Sequence, residues 1–200
     1  HMIGLTVSLF SILVSFFVYW KKLREDYPAQ VIFSSAFIVL MAGMAGLLAS
    51  DFWVKEWFFW LIFGGTLLGF AFSVLRYKMK FYETLDALIL SLVPFMALFF
   101  LRDSVINTEL SSFLAFLVML ALGLSYYFLD LNYKGFVWYR SGRVGFSGLC
   151  TSGLFFLIRA GVAIFNSNVL SFVGKGEVYL SGFVAVTCFL LVWKLGNIMK

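Results

Sequence analysis

An all-α, polytopic membrane protein of about seven transmembrane helices is the fold class this sequence predicts, on three observations. Hydrophobic residues make up 62% of the 200-residue chain and charged residues 12%, and mean hydropathy is +0.99. A soluble domain of this size leaves too much of its chain exposed to hide that apolar surface. The apolar runs are continuous and of helix length, unlike the short alternating segments of a membrane barrel. Finally, Lys and Arg gather between the runs with a bias that alternates from one connection to the next. The net charge of +5 then reflects membrane topology. No basic–aromatic module points to nucleic acid.

A helix needs about 20 apolar residues to cross the hydrocarbon core. The first candidate is Ile3–Trp20, ended by Lys21-Lys22-Leu23-Arg24-Glu25-Asp26 and Pro28. His1-Met2 reads as a cloning remnant, and the run lacks a charged leader or cleavage site, so a retained helix is expected. The second runs from Val31 to about Ser50, before Asp51, Lys55 and Glu56. The third spans Trp57–Leu75 and is closed by Arg76, Lys78 and Lys80. The fourth extends from about Leu85 to Leu101, with Pro94 expected to kink it. The fifth covers Ser112–Leu129 and leads into a basic, irregular connection, Asp130–Gly145. Phe146–Phe165 and Val178–Trp193 are the sixth and seventh. With no internal repeat or soluble insertion, residues 1–200 are expected to form one transmembrane domain.

Orientation follows from Lys and Arg alone. Connections one, three and five hold three each and the C-terminal tail two, whereas connections two, four and six hold one each: Lys55, Arg102 and Lys175. Basic connections stay in the cytoplasm. The N-terminus is therefore expected outside and the C-terminus in the cytoplasm.

Much chemistry is excluded. His1 is the only histidine, which removes Ser-His-Asp, Cys-His and H-E-x-x-H sites. Cys150 and Cys188 lie far apart in apolar runs with no C-x-x-C, so neither a metal site nor a redox pair is expected. All ten carboxylates are expected in loops or at helix ends, leaving none for an intramembrane relay. Gly64-Gly65 has no following Lys and is no nucleotide cradle. No cofactor is implied.

Arg159 is the one charge well inside an apolar run. Arg at a helix centre costs about 2.5–3.5 kcal/mol on the lenient insertion scale, so an intramembrane charge is a functional hypothesis by default. It sits about 20 Å along the sixth helix, in the outer part of the membrane. Gly148, Ser152, Phe155, Arg159 and Ala163 share a face that could pack closely or line a cavity. Two readings follow: the guanidinium receives an anionic headgroup, or it snorkels outward or pairs with Glu109 or Glu177. Arg102 emerges on the same side, where two arginines could hold a phosphodiester. The Trp residues near helix ends fit interfacial belts.

These features resemble the prolipoprotein diacylglyceryl transferase family, in an order that covers most of the chain. Ile62-Phe63-Gly64-Gly65-Thr66-Leu67-Leu68-Gly69 lies where the family carries H-G-G-L, with Phe63 at the histidine position. Phe81-Tyr82-Glu83-Thr84-Leu85-Asp86 and Val93-Pro94-Phe95 resemble its next segment. Arg102-Asp103-Ser104-Val105-Ile106-Asn107-Thr108-Glu109-Leu110 resembles the signature ending I-N-G-E-L. Leu154-Phe155-Phe156-Leu157-Ile158-Arg159 resembles Y-G-x-x-R, with Phe155 at the tyrosine position, and Ile3-Gly4 stands where the family has Tyr-Gly. The resemblance implies a bacterial cytoplasmic (inner) membrane protein that takes diacylglyceryl from phosphatidylglycerol to the cysteine of a lipoprotein precursor. It further implies Arg102 and Arg159 as the catalytic pair, with Asn107, Glu109, Gly64 and Gly65 at the substrate. Two other functions remain open on the residues alone: a relative that binds the lipid without turnover, and a small-solute transporter or membrane subunit of an uptake system.

Overall fold

The computed structural model describes residues 2–136, 138–139, 141–166 and 171–197. His1 and two residues of the charge count, Arg140 and Lys200, lie outside the described residues. Among those described there is no strand. Seven helices run in order: α1 (Met2–Leu23), α2 (Ala29–Phe52), α3 (Phe58–Tyr77), α4 (Phe81–Asn107), α5 (Leu110–Asn132), α6 (Phe146–Phe165) and α7 (Gly176–Asn197). Each is long and apolar enough to cross a membrane. The protein is a multi-pass membrane protein.

Six of the seven spans are longer than the expected apolar runs because flanking residues continue the helices, and α6 matches its run. Two extensions change the site. α4 begins at Phe81, so Asp86 lies inside a helix and is buried, against the expectation that every carboxylate sits in a loop or at a helix end. α4 also continues through Arg102 and Asp103 to Asn107. The expected fourth loop is thus only Thr108 and Glu109. Pro94 lies within this continuous helix.

Small residues set how the helices pair. α2 packs closely on α3, α6 on α7, and α1 and α5 both pack on α4. A methyl at Gly46 would meet the Leu61 carbonyl oxygen, and one at Gly65 the Ala42 carbonyl oxygen, inside contact distance. At Gly69 it would lie 2.7 Å from Ala42 Cβ. In lipid, where apolar burial drives helices together weakly, such backbone approach supplies dispersion contact. Gly65 is therefore a packing residue, whereas a methyl at Gly64 would meet nothing within 4 Å.

The fifth connection is less irregular than expected. α5 runs on to Asn132 and is followed by a 3₁₀ turn, Tyr133–Gly135. Tyr139 is buried against Phe146 and Tyr133, and its hydroxyl donates to the Arg143 carbonyl at 2.8 Å. Burial pushes that phenol up to about 12, which keeps the donor protonated.

Candidate functional site

Two polar clusters occupy opposite ends of the helix bundle. At the end where α1, α3 and α5 finish, Lys22, Asp86, Asp130 and Ser147 meet. At the other, α6 finishes, α3 and α7 start, and Glu177 meets Arg159 and Trp60. The same alternation of ends is what the Lys and Arg count requires.

Arg159 lies two turns before the end of α6, and Glu177 is the second residue of α7. Their side chains are 7% and 0% exposed, and Nε donates to Oε1 at 2.6 Å. The remaining guanidinium edge serves the sixth connection: Nη1 donates to Ser171 Oγ at 3.2 Å and Nη2 to the Ser171 carbonyl. Glu177 also accepts from Ser181 Oγ at 2.5 Å, Trp60 Nε1 at 2.9 Å and the Val173 amide at 3.4 Å. Its place in the first turn of α7 adds the favourable end of the helix dipole. The guanidinium is sandwiched between Phe59, at 3.6 Å from the ring centre, and Phe172, at 4.7 Å. Of the two readings of Arg159, the structure has the Glu177 pair. The face shared by Gly148, Ser152, Phe155, Arg159 and Ala163 packs closely, with Gly148, Arg159 and Ala163 buried.

Beside this pair lies an aromatic cluster. Phe63 meets Phe156 at 5.1 Å, Trp60 meets Phe156 at 5.9 Å, and Phe155 meets Phe59 at 6.3 Å. Positions 63, 155 and 159, which the resemblance equates with a histidine, a tyrosine and an arginine, thus gather in one neighbourhood. Among the described residues, no imidazole or phenol stands there.

Arg102 is in a separate place. Its Nη1 donates to Ser8 Oγ of α1 at 3.0 Å, while its buried Nε has no hydrogen-bond partner among the described residues. Among the described residues it shares no partner with Arg159. With Phe99, Asp103, Ile106 and Asn107 it lines a groove of about 120 Å³. Asp103 is held by Asn107 Nδ2 at 2.7 Å and by Ser112 Oγ of α5 at 2.5 Å. Glu109 precedes α5 and accepts from Ser111 Oγ at 3.2 Å. Between them Thr108 takes φ +53°. That left-handed conformation is uncommon for a β-branched residue and suits glycine. It falls at the position where I-N-G-E-L has its glycine.

The cluster at the opposite end was missed from sequence. Asp86 is wholly buried and accepts from Tyr126 Oη at 2.7 Å, from the Gly148 amide at 2.7 Å, and from Lys22 Nζ at 3.2 Å. Gly148 is in the first turn of α6, so Asp86 caps that helix from α4 and satisfies an otherwise orphan N–H. A methyl at Gly148 would lie 2.7 Å from Asp86 Oδ1, so only glycine permits this approach. Asp86 directly after Phe81–Leu85, and glycine at the head of the sixth run, were the available signals.

No group of three or more His, Cys, Asp or Glu side chains among the described residues could hold a metal ion. Cys150 and Cys188 are free thiols. No family model, curated protein or solved structure matches the chain.

Proposed function

We propose that this membrane protein is a divergent relative of the prolipoprotein diacylglyceryl transferases that binds phosphatidylglycerol on the outer side of a bacterial cytoplasmic membrane, without transferring its diacylglyceryl group. Arg102 carries the reading. Arg102 lines a small groove with Asn107 and Asp103 between Phe99 and Ile106, and a phosphodiester there would supply charge-assisted acceptors for the guanidinium, whose Nε has no partner among the described residues. Asn107 lines the same groove, and the left-handed Thr108 supports the likeness of this turn to I-N-G-E-L.

Turnover is left out for a chemical reason. Lipid transfer to a cysteine needs a thiolate, and a free thiol with pKa about 8.5 is mostly protonated at neutral pH. Phe63 supplies no base. Arg159 could have lowered the thiol pKa by its charge, but that charge is spent on Glu177. Arg159, Glu177 and the aromatic cluster then hold α3, α6 and α7 together, and Gly65 keeps α2 on α3.

The test is the purified chain with phosphatidylglycerol and a lipobox peptide. Expected are retained phosphatidylglycerol by native mass spectrometry, at least ~10-fold weaker retention in Arg102→Ala, and an unmodified peptide. A diacylglyceryl-modified peptide would establish transfer and overturn the binding-only reading. Retention unaffected by Arg102→Ala would remove the site.

A further inference from the structure

The cluster at the basic end takes no part in the proposed lipid site. Lys22, in the last turn of α1, reaches Asp86 of α4 and Asp130 of α5, each at 3.2 Å. Its ammonium also lies 5.5 Å from the centre of the Tyr126 ring of α5. One cation thus serves two carboxylates on two helices, leaving the cluster with an excess negative charge.

The two carboxylates are held differently. Asp86 has no exposed side-chain surface, and Tyr126 and the Gly148 amide fix it besides Lys22. Asp130 is 35% exposed, and its other partner is Ser147 Oγ at 3.4 Å. It also stands in the last turn of α5, where the helix dipole disfavours negative charge. A competing cation from solvent therefore reaches Asp130 before Asp86. Tyr133, with Lys134 over its ring, completes the charged surroundings. α1 packs chiefly on α4 and only slightly on α2, so the Lys22 head is what ties it to α5.

We propose that Lys22 and Asp130 form a charge latch across the seam between α1 and α5, and that neutralising Asp130 opens this seam while Asp86 keeps α1 on α4. The latch is a conformational control independent of lipid binding at Arg102.

Hydrogen exchange on the full-length protein in lipid nanodiscs tests it. Asp130→Asn should speed exchange of the amides from Trp20 to Arg24 by roughly three- to ten-fold, with the segment around Asp86 unchanged. Asp130→Glu should keep wild-type protection. Tyr126→Phe, which removes an Asp86 partner but leaves the Lys22–Asp130 contact, should not loosen α1 selectively. Should Asp130→Asn fail to fold, the wild-type chain moved from about 0.05 M to about 1 M salt reads the same seam, because salt screens the part-exposed Lys22–Asp130 contact more than the buried Lys22–Asp86 contact. Unchanged exchange at Trp20–Arg24, or equal loosening of α1 and α4, overturns the latch.

Discussion

At the scale of single residues, Arg159 and Glu177 show how a membrane interior tolerates charge. Neither could be buried alone, since an unpaired ion in low dielectric carries a penalty of several kcal/mol. Together they form a neutral unit whose remaining acceptors are filled by Trp60, Ser181 and the Val173 amide. Removing one partner should therefore cost far more than removing both. Glu177→Gln is expected to destabilise the protein by about 3–5 kcal/mol, whereas the Arg159→Met, Glu177→Met double variant should lose much less. Thermal unfolding in micelles followed by tryptophan fluorescence reads both. A Glu177→Gln protein that melts like wild type would mean that the pair contributes nothing. Arg159 was legible in sequence as the lone charge in an apolar run, and Glu177 was among its named partners. Asp86 was not, because it looked like part of a polar border. What lets that border carry a buried carboxylate is a contact remote in sequence, the amide of Gly148 in the first turn of α6, 62 residues away.

At the scale of elements, the α2–α3 pair explains two adjacent glycines with different jobs. Gly65 faces the α2 backbone, and Gly64 faces open space. A β-carbon at 65 must push two helices apart, because its neighbour is a carbonyl that cannot rotate away. Gly65→Ala should destabilise by about 1–3 kcal/mol, the usual range for overpacking. Gly64→Ala should be neutral or slightly stabilising, since alanine is the better helix former. Melting temperatures of the two variants, compared side by side, decide this; equal effects would contradict the assigned faces. The apolar runs made the seven helices legible, with α6 matching Phe146–Phe165 at both ends. They could not reveal which glycine faces a neighbour, because that depends on the rotation of α3 about its axis. Nor could they place the end of α4: Arg102, Asp103 and Asn107 look like loop residues, yet Asp103 is held by Asn107 within the helix and by Ser112 across the turn.

At the scale of the whole molecule, charge and connectivity independently impose the same two-sided arrangement. Lys22, Asp86, Asp130 and Ser147 come from four different helices and meet at one end. Such a meeting requires connections one, three and five to lie on one side. Those are the connections rich in Lys and Arg, and retention of basic connections in the cytoplasm orients the bundle. On that rule the opposite end is expected to face outward, bringing Arg102 and the Arg159–Glu177 pair with it. Cysteines placed one at a time at Lys55, Lys80, Lys134 and Lys175, all exposed, test this in a background with Cys150 and Cys188 changed to Ala. An impermeant maleimide added to intact cells should label positions 55 and 175. Positions 80 and 134 should react only after permeabilisation. The reverse pattern would turn the molecule over and carry the Arg102 groove to the cytoplasmic leaflet. A phosphatidylglycerol site could survive there, but not on the outer side where it is proposed.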